Sequence, residues 1–300
     1  MFLDRLLEHF GAARFDVGSP LGLYRHLVTG QERAFPYLKG SLPRAWSLIR
    51  RWEQVQPTDH REPAPLSLAF ALASVAFLRG YTDFGLITLM MFFFILRPCE
   101  ALRATRDDLV LPSDTLSDSA VAYLKIPSSK SRWRGPRTQH ASTRYPVLIG
   151  LLETRYALLK QGAKLFDGNA NTYRKTWNIL IKAFQIPLSK YTPASLRGGG
   201  CCYAYEQDSS ISNLMWRMRL MSMATLKHYL QEVVATASLI SLSPETRHAL
   251  QAAAKSFETA HRRLASKTCA AGTSAQLDVT ASAGSPDTRA SQMSHPPTRP

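Results

Sequence analysis

An arginine followed three residues later by a glutamate closes the most apolar stretch of the chain, Leu96-Arg97-Pro98-Cys99-Glu100-Ala101-Leu102. An unpaired charge in such a setting is costly, so Arg97 needs a partner or an anion, and Glu100 can neutralise and orient it. The same spacing also suits an Arg–Glu pair on a helix surface. A second string, Lys130-Ser131-Arg132-Trp133-Arg134-Gly135-Pro136-Arg137, lies in the most basic part of the sequence, where eight Lys or Arg between Val121 and Lys160 stand against one acid, Glu153. That density suits a phosphate backbone, whose neutralisation releases counterions. Trp133 adds a ring able to pack on a sugar or base; a solvated basic loop is the alternative.

The third string is Tyr191-Thr192-Pro193-Ala194-Ser195-Leu196-Arg197-Gly198-Gly199-Gly200. Inside a helix each glycine costs about 1 kcal/mol relative to Ala, so close approach by another backbone or by an anion would justify three of them. The fourth, Leu226-Lys227-His228-Tyr229-Leu230, offers a phenol that by itself reads equally as a half-buried helix tyrosine.

Taken in order, Arg97-x-x-Glu100-x-Leu102, a hairpin-tip lysine, Thr192-Pro193-x-x-Leu196-Arg197 and a tyrosine 32 residues further on resemble the tyrosine recombinase (phage integrase) family over roughly residues 62 to 235. The Leu196-Arg197-Gly198-Gly199-Gly200 variant is most similar to recombinase-like proteins of eukaryotic mobile elements. The resemblance implies metal-free DNA strand cleavage and rejoining, with double-stranded DNA as partner. Tyr229 would be the nucleophile that forms a 3′-phosphotyrosine. Arg97 and Arg197 would grip the phosphate oxygens, and Lys130 would protonate the departing 5′ oxygen. Arg132, Trp133, Arg134 and Arg137 would contact DNA.

Two positions depart from the family pattern. Ala194 stands where a His or Lys is usual, and Leu220, within Arg219-Leu220-Met221, where a His or Trp is usual. Each proton-handling group contributes about 10²- to 10⁴-fold, so two readings stand: a recombinase acting through Tyr229, or a catalytically degenerate DNA-binding protein. Supporting candidates are Glu100, Trp216 and His228, although Trp216 lies about one turn from the family position and His228 points roughly 100° around the helix from Tyr229.

The elements that must position these residues read as mainly α with a small antiparallel sheet (α+β), a catalytic-type domain behind a short helical one. Residues 1–61 form a shortened core-binding-like block with Leu48, Ile49, Trp52 and Val55 on one helical face, ending in a linker from Pro57 to Pro65. The domain at 62–240 opens with apolar segments Leu66 to Leu78 and Leu86 to Leu96. Both fall short of the roughly 20 residues of a membrane span, so they read as buried helices. Alternation from Ala120 to Ile126 predicts a strand, a second strand is expected over Arg144 to Leu148, and the basic string would be the tip between them. Helices follow at Gly150 to Lys160, Thr172 to Phe184, Pro193 to Glu206, Ile211 to Arg217 and Ser222 to Val234. A C-terminal helix at 241–265, capped by Ser243 with Pro244 behind it, carries an apolar stripe at Leu250, Ala254, Phe257, His261 and Leu264. That stripe docks on its own chain or, as the resemblance implies, passes to a neighbour in a homo-tetramer. Residues 266–300 have too little apolar surface to order.

Composition agrees with a packed basic protein: 45% apolar, 20% charged and a net charge of +15. Such an excess favours an anionic partner, nucleic acid first and a membrane surface second. Four cysteines make no disulfide framework or zinc pattern, and the charged N-terminus lacks the form of a signal peptide, which points to an intracellular protein, nuclear in a eukaryote. No dinucleotide fingerprint, phosphate loop, acidic cluster or histidine ligand spacing occurs, so neither cofactor nor metal is expected.

Overall fold

The computed structural model describes residues 2–56, 62–115, 120–127, 138–207, 209–230 and 237–262. Contacts divide the chain into two units, Met1–His60 and Arg61–Pro300. The first holds three helices, α1 (Phe2–Asp16), α2 (Leu21–Ala34) and α3 (Pro43–Val55). They enclose a core of Leu7, Tyr24, Val28, Leu42, Ala45, Ile49 and Trp52. The predicted face is correct at Ile49 and Trp52, but Val55 is 66% exposed because α3 ends there, one residue before its C-cap Gln56. Asp4 is buried at the start of α3, where it accepts the amides of Arg44 (3.1 and 3.2 Å) and Ala45 (3.1 Å), donors that a helix N-terminus leaves without partners.

The second unit is mainly helical with one small antiparallel sheet. Helices α4 (Leu66–Leu78) and α5 (Thr82–Phe93) are the two apolar segments, and nearly every α5 residue is buried. No described helix is long and apolar enough to cross a membrane. After the short α6 (Pro98–Ala101), strands β1 (Leu109–Val110), β2 (Ala122–Ile126) and β3 (Gln139–Thr143) pair antiparallel in that order. Ala122, Leu124 and Ile126 face the core while Tyr123 and Lys125 face out, as the alternation predicts. β3 sets Thr143 opposite Ala122 and Gln139 opposite Ile126.

The second strand therefore lies before Arg144, not over Arg144 to Leu148. Pro146 has no amide to donate to a ladder and a φ suited to a helix start, so helix α7 (Pro146–Tyr156) begins where the strand was expected. β1 went unseen because two residues show no alternation.

Helices α8 (Ala170–Ala183), α9 (Ser195–Glu206) and α10 (Ile211–Met218) follow close to the expected spans, but α11 (Met223–Lys227) stops short of the expected Val234: His228 is its C-cap, and Tyr229 lies in the turn beyond it; residues 231–236 lie outside the described set. The glycines of α9 are explained by neighbouring backbone. A Cβ on Gly199 would sit 1.8 Å from the Ala64 carbonyl oxygen, and one on Gly200 2.0 Å from that of Phe92. Ala64, fully buried, also donates its amide to the Ser195 carbonyl at 2.9 Å, and Glu62 pairs with Lys190 at 2.8 Å. Residues 62–65 are thus part of the packed unit, and the predicted linker overran into it.

Helix α12 (Pro244–Lys255), capped by the Ser243 hydroxyl, packs on α4 with a further helical turn behind it. Phe257 stacks on Phe70 at 4.5 Å, and Leu250, Phe257 and Ala260 are buried. The stripe offered for exchange with a neighbouring subunit is covered by its own chain at Leu250 and Phe257, while Leu264 lies outside the described residues. The tail from 266 lies outside the described residues.

Candidate phosphate-binding site

Chain reversal after α5 builds the floor of the site. Ile95 is buried in the left-handed region at φ 55°, a conformation that costs a β-branched residue energy and persists only where surroundings enforce it. Its carbonyl faces two guanidinium groups, accepting from Arg197 Nη1 at 2.8 Å and lying 3.5 Å from Arg219 Nη2. Arg219 is itself left-handed, at φ 57°, as the C-cap of α10. The two strained residues therefore belong to one hydrogen-bond network.

Glu100 is the centre of that network. Its Oε1 pairs with Arg97 Nη1 at 2.7 Å, and its Oε2 takes the Arg97 amide at 2.8 Å and Arg219 Nη2 at 2.6 Å, with Arg197 Nη1 at 3.8 Å. The side chains of Glu100, Arg197 and Arg219 are only 3–4% exposed, whereas Arg97 reaches solvent at 20%. The expected Arg97–Glu100 pair thus forms, although on the Glu100 side it is buried instead of on a helix surface.

Three guanidiniums share one carboxylate, so the cluster keeps a net positive charge. Burial pushes the Arg197 guanidinium down to about 10, with repulsion from Arg97 and Arg219 adding to it; it still carries its charge at neutral pH. Burial would raise the Glu100 carboxyl, but Arg219, the Arg97 amide, Arg197 and Arg97 together outweigh it and hold the group below its ordinary value. The Nε atoms of Arg197 and Arg219 are buried without a hydrogen-bond partner. Unsatisfied buried donors beside excess positive charge suit an anion.

Tyr229 reaches this cluster. Its ring centroid lies 5.7 Å from the Arg197 guanidinium carbon, within cation–π range, and its carbonyl accepts the Cys202 thiol at 3.2 Å. Buried Leu226 anchors the short α11 that leads to it. Burial, then Cys202, pushes the neighbouring Cys201 thiol up to about 12, which leaves it protonated and unsuited to nucleophilic work.

The fold therefore gathers Arg97, Glu100, Arg197 and Tyr229. The Trp216 side chain does not join that network: the residue is 78% exposed on the wall of a cavity of about 310 Å³ whose lining also includes His140 and, from the cluster, Arg219. His228 is exposed beside Tyr229. Lys130, Arg132, Trp133, Arg134 and Arg137 lie outside the described residues; in sequence β2 ends before them and β3 begins after them. Ala194 and Leu220 supply no proton-handling group.

Sequence reasoning missed Arg219, which stood in plain view one residue before Leu220. The available signal was an arginine following an amphipathic helix, where a permanently charged fork could replace a titrating ring. Lys125 and Arg103 were also passed over, although with Glu100 they line a cavity of about 170 Å³.

No protein-family model matches the sequence, and no curated protein matches it. Among solved structures, XerA recombinase is similar to this chain at 13% identity and a TM-score of 0.44, covering 71% of this chain and 80% of that one.

Proposed function

We propose that the chain binds duplex DNA and cuts one strand through Tyr229. One observation supports this reading above the others: the Tyr229 ring packs on Arg197, which shares the Glu100 carboxylate with Arg97 and Arg219. A backbone phosphate seats where Arg97 opens the cluster to solvent. The Tyr229 oxygen attacks phosphorus, the bond to the 5′ oxygen breaks, and the 3′ phosphate stays on the tyrosine. The phenolic proton passes to water, and the departing 5′ oxygen takes a proton from Lys130. The fixed charges of the arginines stabilise the negative charge that builds on the five-coordinate phosphorus.

A second reading, DNA binding without cleavage, is favoured by one feature. Both Nη groups of Arg197 donate to main-chain carbonyls, those of Ile95 and Met218, so binding a phosphate through them means exchanging existing bonds. Exchange of a C-terminal helix between subunits forms no part of either reading.

A labelled duplex with a nick beside the cleaved bond traps the covalent product. Cleavage predicts a protein–DNA adduct that survives denaturing electrophoresis and disappears in Tyr229→Phe. Salt-dependent duplex binding with no adduct assigns the second reading. Absence of both discards DNA as the ligand.

A further inference from the structure

We infer that a second phosphate-binding site, built on Arg144 and Arg217, lies at the N-terminus of α7 beside α9 and α10. A cavity of about 310 Å³ opens there, with Arg144, Tyr145, Tyr203, Gln207, Ser209 and Arg217 in its walls and, among the described residues, no Asp or Glu in its lining; Asp208, between Gln207 and Ser209 in sequence, lies outside the described residues. Arg217 is half-buried and Arg144 exposed. Among the described residues neither arginine is paired with a carboxylate; Glu258, the acid that faces Tyr145, is held by Arg262 at 3.5 Å.

Two like charges facing one cavity repel each other. Arg217 is lowered from the ordinary arginine value by burial and, against an opposing pull from Cys201, by Arg144; among the described residues its side chain donates from Nη2 to the Phe93 carbonyl at 3.2 Å. The start of α7 adds to the positive potential: its N-cap Tyr145 makes no side-chain capping bond, and Pro146 is the first helical residue. A phosphate would relieve the repulsion by accepting from both guanidinium forks, with the tyrosine and serine hydroxyls to complete its shell. The volume lies at the small end of ligand cavities, enough for a phosphate and the start of its ester.

That phosphate belongs either to the backbone of bound nucleic acid, which rests on the DNA reading above, or to a small phosphate compound. Two measurements on the full chain separate the sources, comparing wild type with Arg144→Gln and Arg144→Gln/Arg217→Gln. The first is affinity for a labelled duplex as a function of sodium chloride. The second is thermal melting in inorganic phosphate against chloride at equal ionic strength.

A backbone site predicts a double-variant salt slope shallower by about 0.9, one phosphate contact, together with loss of stabilisation by phosphate. An unchanged slope with that stabilisation lost assigns a small phosphate compound. If the double variant behaves as wild type in both, the inference is overturned. Should the double variant melt early in chloride, the exposed Arg144→Gln alone carries the same comparison. A wild type that binds no duplex removes the DNA reading and leaves the melting arm to decide this site.

Discussion

Asp4 in the first unit and Glu100 in the second are both buried carboxylates, and they are satisfied by opposite means. Asp4 takes main-chain amides at the start of α3, while the guanidinium of Arg44 turns away to Glu8 at 3.3 Å. One negative charge meets the partial positive charge of a helix end, and the account is closed. Glu100 instead holds three guanidinium groups that repel one another. Stability alone does not favour such an arrangement, since burying several charges costs more desolvation than one carboxylate returns. The first carboxylate fastens a helix; the second assembles positive charge that an anion would complete.

Replacement of each carboxylate tests the contrast most severely. Glu100→Ala should lose about 3–5 kcal/mol in chemical denaturation, because it leaves buried guanidiniums uncompensated. Asp4→Ala should lose about 0.5–2 kcal/mol, the range for a helix cap. Equal losses would erase the distinction.

A smaller effect tests how α9 carries Arg197 into place. Gly200→Ala should cost about 1–3 kcal/mol, since a Cβ there collides with the Phe92 carbonyl. Gly198→Ala, whose Cβ would meet only Pro63 at 3.3 Å, should cost clearly less in the same denaturation experiment.

The smallest effect is the response to acid. Glu100 has a folded value below its unfolded one of about 4.3, so its contribution is complete above that pH and fades as pH falls through the folded value. Melting temperature followed from pH 6 downward should therefore drop less steeply in Glu100→Gln than in wild type. Parallel curves would show that the carboxylate is not held by charge.

Much of this was legible in the sequence where one local rule acted alone. The period-2 run Ala122–Ile126, the short apolar helices and the Ser243-Pro244 cap each declare themselves through their neighbours in the chain. The boundary between β3 and α7 was misplaced because the β-forming Tyr145 and Val147 straddle Pro146, whose missing amide ends the ladder and starts the helix. Gly199 and Gly200 announced a close approach without naming what approached, since Ala64 and Phe92 are more than 100 residues away in sequence. Within the site, the Arg97–Glu100 spacing exposed one pair. The convergence of Arg219 on the same carboxylate required the left-handed turns at Ile95 and Arg219, which no spacing encodes.

Peptide mapping of the trapped protein–DNA product identifies the nucleophile and its dependence on the arginine cluster. After reaction with the nicked duplex and digestion, mass spectrometry should find the nucleotide on the peptide bearing Tyr229, with Arg97→Gln and Arg197→Gln each reducing its yield. A nucleotide on any other residue, or a yield indifferent to both arginines, would rule out cleavage by Tyr229 at the Arg97–Arg197 cluster.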